Sequence, residues 1–131
     1  MSPEAIRQSF DRCEGAGDFA EHFYGVFLGA SSEIAPLFKD TDFAAQRKLL
    51  RATVYMLITR DVEEARSREA LERIGKSHSR EELNIRPDLY EVWLDSLCTT
   101  VEEMDPEWSD ELGLEWRERM RPGIQLITSV Y

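Results

Sequence analysis

Apolar residues recur along the chain at three- and four-residue spacing, cut by short polar breaks, and this is the period of helices with one buried face. No alternating strand run and no Asn-Gly hairpin turn is present, so the pattern predicts an all-α fold. The first helix is expected from Ser2, with Pro3 in the first turn, where a missing N–H is tolerated; it carries Ile6 and Phe10 to about Gly15 or Gly17. A second helix opens at Asp18, a residue able to cap free N–H groups, with Glu21 three residues on as in a capping box. It holds Phe19, Phe23, Tyr24, Phe27 and Leu28, which suits the middle of a fold.

A broken segment follows from Ser31 to Lys39, restricted by Pro36, and then a long helix from Asp42 to about Thr59 with Phe43, Leu50, Val54 and Leu57 as its stripe. Arg60 to Ser67 reads as a polar connection, followed by a shorter helix carrying Leu71, Ile74 and His78. Asn84-Ile85-Arg86-Pro87 breaks the chain and starts an amphipathic helix through Tyr90, Trp93, Leu94, Leu97, Cys98 and Val101. After Asp105-Pro106, a final helix steps through Leu112, Trp116, Met120, Ile124, Ile127 and Tyr131. Pro122 should kink that helix, at a cost of about 3 kcal/mol for an interior proline.

Composition narrows the class. The chain has 131 residues, 42% of them hydrophobic and 32% charged, which describes one globular domain over residues 1–131 with its own core. No apolar run approaches the roughly 20 residues of a membrane span, and Met1-Ser2-Pro3-Glu4 lacks the start of a secretory signal, so a soluble, cytoplasmic protein is expected. With 26 acids against 16 bases the net charge is −10, which disfavours nucleic acid as a partner. Cys13 and Cys98 form no CxxC motif and read as buried or partly buried thiols rather than a disulfide or a metal site.

Three polar residues stand on apolar faces. His78 lies one and two turns beyond Ile74 and Leu71, so its imidazole shares their face. It is either a histidine tethered to a carbonyl or a ligand; a lone imidazole holds free zinc poorly, yet it can supply the one axial bond that a haem lacks. Gln46 falls in the stripe of Leu50, Val54 and Leu57, either at the rim of the core or turned inward. Tyr24 sits at the centre of the apolar second helix, where a tyrosine often does no more than satisfy its hydroxyl on a carbonyl. Together they place one possible iron ligand and two hydrogen-bond donors in an apolar shell.

In sequence order, Phe23-Tyr24, Phe38, Gln46 and Leu50, then Leu71 and Ile74-Gly75-Lys76-Ser77-His78, then Ile85-Arg86-Pro87-Asp88-Leu89-Tyr90 and Trp116, resemble bacterial haemoglobins and the globin domain of flavohaemoglobins. The resemblance runs from about residue 5 to the end and implies a globin fold, a three-over-three helical sandwich, that binds haem b. It implies His78 as proximal iron ligand, Phe38 stacked on the porphyrin, Tyr24 and Gln46 as distal donors, Leu50 as apolar wall, and Ile74 and Ile85 against the cofactor. Tyr90 would orient the His78 imidazole, and such a partner fixes the tautomer and strengthens the metal bond. One of Arg47, Lys48 and Arg51 could meet a propionate, although a solvated helix face explains at least two of them. Trp93 is balanced between a donor to the bound ligand, as in truncated globins, and an aromatic packing the haem edge.

The implied function is reversible binding of a diatomic gas, oxygen above all, with nitric oxide or carbon monoxide as other ligands, in storage, transport or sensing. Two departures bear on this. No reductase domain follows Tyr131, so any redox chemistry calls for an external reductase; and Tyr131 falls where flavohaemoglobins place a glutamate that pairs with the proximal tyrosine. Both weaken the reading as an enzyme, whether nitric oxide dioxygenase or weak peroxidase. A haem-free regulatory module with a globin fold is the third reading. His22 is expected to face solvent.

Overall fold

The computed structural model describes residues 3–61 and 63–131. The expected helix start at Ser2 lies outside them; from Pro3 onward the elements are α1 (Glu4–Ala16), α2 (Phe19–Ala30), a short 3₁₀ turn (Ala35–Phe38), α3 (Phe43–Thr59), α4 (Ala65–Ser77), α5 (Leu89–Met104) and α6 (Asp110–Thr128). No strand occurs among the described residues, as the apolar spacing predicts, and no helix among them is long and apolar enough to cross a membrane.

The caps sit where short polar side chains precede apolar runs. Asp18 accepts from the Glu21 N–H at 3.0 Å, Asp42 from those of Ala44 and Ala45, and Ser109 from that of Leu112, so the orphan donors of α2, α3 and α6 are satisfied locally. Two expectations are corrected. The polar stretch ending at Ser67 is not all connection: α4 starts at Ala65, buries Ser67 and braces its outer face with an Arg68–Glu72 pair one turn apart. Tyr131 is not on the α6 stripe, because the helix ends at Thr128. Its hydroxyl donates instead to Asn84 Oδ1, its carbonyl accepts from the Arg80 N–H at 3.2 Å, and the Arg80 guanidinium lies 4.9 Å above its ring. Asn84 itself has φ of +51°, a left-handed turn conformation that asparagine tolerates better than most residues. Pro122 lies on the exposed side of α6, and the helix runs on through it.

The helices stack in two layers, α1, α3 and α4 over α2, α5 and α6, the three-over-three arrangement. α2 packs along α5, and α4 packs along α6. The α4–α6 contact is close because residue 75 has no side chain: a Cβ there would come within 2.4 Å of Val130 Cγ2 and 2.6 Å of the Ile127 carbonyl. Trp116, Phe19, Phe23 and Ile6 are fully enclosed between the layers. Both cysteines are buried free thiols, as expected, and burial raises the Cys98 pKa and pushes that of Cys13 up to about 12.

One polar cluster is sealed inside this core. The Asp105 side chain, just beyond α5, is wholly inaccessible. Its Oδ1 accepts from Arg12 Nε at 2.7 Å and the Glu107 N–H at 2.8 Å; its Oδ2 accepts from Ser9 Oγ at 2.6 Å and Arg12 Nη2 at 3.0 Å. Ser9 Oγ in turn accepts from Trp116 Nε1 at 3.1 Å. Burial alone would raise the Asp105 pKa, but the bonds from Arg12, Ser9 and the Glu107 amide outweigh it and hold the carboxyl below its usual range.

Candidate functional site

Between α3 and α4 the layers leave a cavity in two adjoining lobes, of about 240 Å³ and about 170 Å³, which together fall in the range of about 300–1,000 Å³ common for small-molecule sites. Tyr24, Gln46, His78, Tyr90 and Trp93 line both lobes. Phe38 and Ile85 line the first, Leu50 and Ile74 the second, so all nine of these candidates border this space, whereas Arg47, Lys48 and Arg51 line neither lobe and Arg51 pairs with Glu14.

Tyr24 is 6% exposed and points in from the middle of α2. Gln46 projects from the first turn of α3, which the Asp42 cap fixes, and its Nε2 donates to Tyr24 Oη at 3.1 Å. The phenol oxygen therefore acts as acceptor towards the protein, and its own proton meets no protein acceptor among the described residues. Burial raises the Tyr24 pKa, with the Gln46 bond pulling weakly the other way, so the hydroxyl stays protonated and able to donate.

His78 is the C-cap of α4. Its N–H donates to the Ile74 carbonyl at 3.0 Å, its carbonyl accepts from the Ile85 N–H at 2.9 Å, and Nδ1 lies 2.9 Å from Tyr90 Oη. Burial lowers the His78 pKa and pushes that of Tyr90 up to about 12, so both are neutral near pH 7. In the tautomer where Nδ1–H donates to Tyr90, the Nε2 lone pair is free and has no protein partner among the described residues. No further hydrogen bond to the Tyr90 hydroxyl is found among them either; Tyr131, where the resemblance expects a glutamate, reaches Asn84 instead.

The walls are aromatic and aliphatic. Phe38 stacks on Phe43 with ring centroids 5.9 Å apart and meets Tyr24 edge-on at 5.7 Å, while Trp93 packs on Phe23 at 5.8 Å. At the mouths stand leucines that leave unusual apolar area in water: Leu37 and Leu83 at the first lobe, Leu49 at the second, the last two more than half exposed. Sequence reasoning missed all three. Leu83 had a signal, since it is the one apolar residue in the run from Ser79 to Asn84. His22 is exposed and bonded to Glu103, at a distance from this space.

One neutral imidazole lone pair and a pair of neutral donors across a greasy slot make a poor cage for a bare metal ion, and no group of three or more metal-binding side chains occurs among the described residues. They suit a flat, largely apolar molecule that brings most of its own metal ligands.

No family model and no curated protein matches the sequence. Among solved structures it is similar to the crystal structure of a Pseudomonas aeruginosa PAO1 protein described as structurally highly homologous to a human hemoglobin, at 37% identity and a TM-score of 0.88 over 98% of this chain and 97% of that one. With that identity spread over nearly the whole of both chains, and helices in the order and stacking described above, the chain belongs to the globin family, among its bacterial members.

Proposed function

We propose that this globin holds one haem b between α3 and α4 through His78 Nε2 and binds oxygen reversibly on the opposite face. The observation that carries the reading is the pairing across one cavity of an unpartnered, neutral imidazole and the Tyr24–Gln46 donors. The fit to a haem rests on three features: an axial ligand already oriented by a second hydrogen bond, a stacked Phe38, and mouth leucines that a porphyrin would cover. The haem, when bound, supplies the iron and its electron density.

What the chain does is hold and discriminate. Tyr90 keeps the imidazole in one tautomer and plane. Tyr24 is free to donate its proton towards a ligand that carries partial negative charge, and Gln46 fixes the phenol for that task; in a dry pocket such bonds are strong. Oxygen gains more from them than carbon monoxide does, which favours tight oxygen binding and slow release, suited to storage or sensing. The absence of a carboxylate on Tyr90 among the described contacts speaks against a dedicated nitric oxide dioxygenase.

Absorption spectra of the purified protein in ferric, ferrous and oxygenated forms test the reading. The expected result is a strong Soret band, lost in His78→Ala and recovered with added imidazole. A wild-type protein that takes up no haem would overturn it in favour of a haem-free module, and rapid nitrate formation from oxygen and nitric oxide with an added reductase would favour the enzyme.

A further inference from the structure

The charge of this molecule is unevenly spread. From Lys39 to Arg80 the chain carries ten basic and seven acidic residues, and the rest carries six basic and nineteen acidic. Ion pairing sharpens the division. Outside that stretch Arg7, Arg12, Arg86, Arg117 and Arg121 all meet carboxylates, and Arg119 donates to the carbonyls of Leu57, Ile58 and Arg60. The side chains of Lys39, Arg47, Lys48, Arg66, Arg73 and Lys76, all inside it, meet no acid, carbonyl or ring among the described residues.

These free cations lie on the elements that form the cavity. On its outer side, α3 and α4 enclose an open groove of about 350 Å³ floored by Leu49, Ala52, Met56 and Ile74, with Arg73 in its wall. Lys48 stands one turn before Ala52, and Lys76 adjoins Ser77, which also lines the groove. Leu49, 54% exposed, stands in it. An apolar centre with a charged rim is the anatomy of a transient protein interface. The groove shares Leu49, Thr53, Ile74 and Ser77 with the inner lobe, so a protein seated there lies one layer of side chains from any group held between α3 and α4.

We propose that the α3–α4 groove is the docking face for an acidic one-electron carrier protein. This rests on the haem reading: the carrier would give up one electron to a haem iron held by His78, taking it from ferric to ferrous, while the groove's own residues do no more than seat the carrier. The charge pattern selects the partner's shape as well as its sign. An extended polyanion such as nucleic acid or an anionic membrane would also meet the acidic remainder of the molecule and be repelled. A compact acidic patch of the groove's size meets Arg73 with Lys48 and Lys76 beside it, three cations against Glu69 one turn before Arg73, and at the physiological Debye length of about 8 Å the more distant acids are screened.

The test mixes the ferric holoprotein with photoreduced plant-type ferredoxin, an acidic [2Fe–2S] carrier, and follows the ferrous spectrum. The rate should fall severalfold between physiological ionic strength, where the distant acids are already screened, and about 1 M, where a Debye length of about 3 Å screens the groove's own cations as well. Arg73→Glu should slow it about fivefold at physiological ionic strength, whereas Arg66→Glu, the same charge change on the same helix but outside the groove, should alter it less than about twofold. Equal slowing by both variants, or a rate blind to salt, overturns the proposal. If the wild type carries no haem, the haem reading fails separately, and docking is then read from amide shifts on adding oxidised ferredoxin: shifts confined to Leu49, Ala52 and Arg73 support it and their absence overturns it. A concentration-dependent dimer mass that Arg73→Glu returns to the monomer, the mark of a second copy seated in the groove, overturns it as well.

Discussion

Two clusters of polar side chains are buried in this globin, and they differ in what is left over. Around Asp105 nothing is: four donors occupy both carboxylate oxygens, and the serine that supplies one of them is itself tied to Trp116. Around the cavity, Tyr24 and Gln46 satisfy each other only in part and His78 uses one ring nitrogen, so a proton and a lone pair face empty space lined by carbon. Closed networks join elements; open ones receive ligands. The Asp105 cluster joins α1, the end of α5 and α6, and none of its members lines the cavity.

Substitutions should separate the two regions by what they change. The largest stability effect is expected from Asp105→Ala, which strands the Arg12 and Ser9 donors; losing one partner of a buried pair costs about 3–5 kcal/mol, visible as a large drop in the denaturant midpoint, while the haem spectrum of the folded fraction stays the same. Gly75→Ala couples the regions. The added methyl meets the Ile127 carbonyl as well as Val130, so backbone must move; about 1–3 kcal/mol of stability should go, and α4 should carry His78 with it, altering the iron–histidine stretching frequency.

Tyr24→Phe reverses the Asp105 pattern. Stability should change little, since the lost bond to Gln46 is a single neutral one worth about 1 kcal/mol net, but oxygen dissociation should speed up about tenfold, the worth of one hydrogen bond to a partly charged ligand. An unchanged dissociation rate would remove Tyr24 from the distal role. The smallest effect near neutral pH belongs to acid titration. The Asp105 pKa is lower in the folded state than in the unfolded chain, so its contribution to stability is full above the unfolded value of about 3.9 and fades as pH falls through the folded one. Asp105→Asn, compared with the wild type by acid unfolding below about pH 4, should flatten that part of the profile.

The open site was easier to read in the sequence than the closed one. Gln46 and His78 stood out because each breaks a helical stripe of apolar residues, a local pattern that a wheel exposes. Asp105 sits beside a proline at a helix end, where an aspartate is ordinary, and its partners Ser9 and Arg12 lie 96 and 93 residues away, a distance no periodicity spans. The early start of α4 was hidden for a different reason. Its first turn is almost wholly polar, and its inward residue is Ser67 rather than an aliphatic. Tyr131 continued the spacing of α6 by coincidence, since its hydroxyl and carbonyl hold the Arg80–Asn84 loop and the helix has already ended.

Under the proposed oxygen-binding function, the burial of Cys13 and Cys98 has a chemical consequence. A thiol with a pKa of about 12 is ionised in only about one molecule in 10⁵ at neutral pH, and the thiolate is the form that peroxide attacks and that exchanges with disulfides. Reduced oxygen species formed at a bound haem would therefore find no ready thiolate in the surrounding protein. Sulfenic acid and covalent dimers should not accumulate on storage in air, and the first oxidative damage should fall on the Met56 thioether in the open groove beside the cavity.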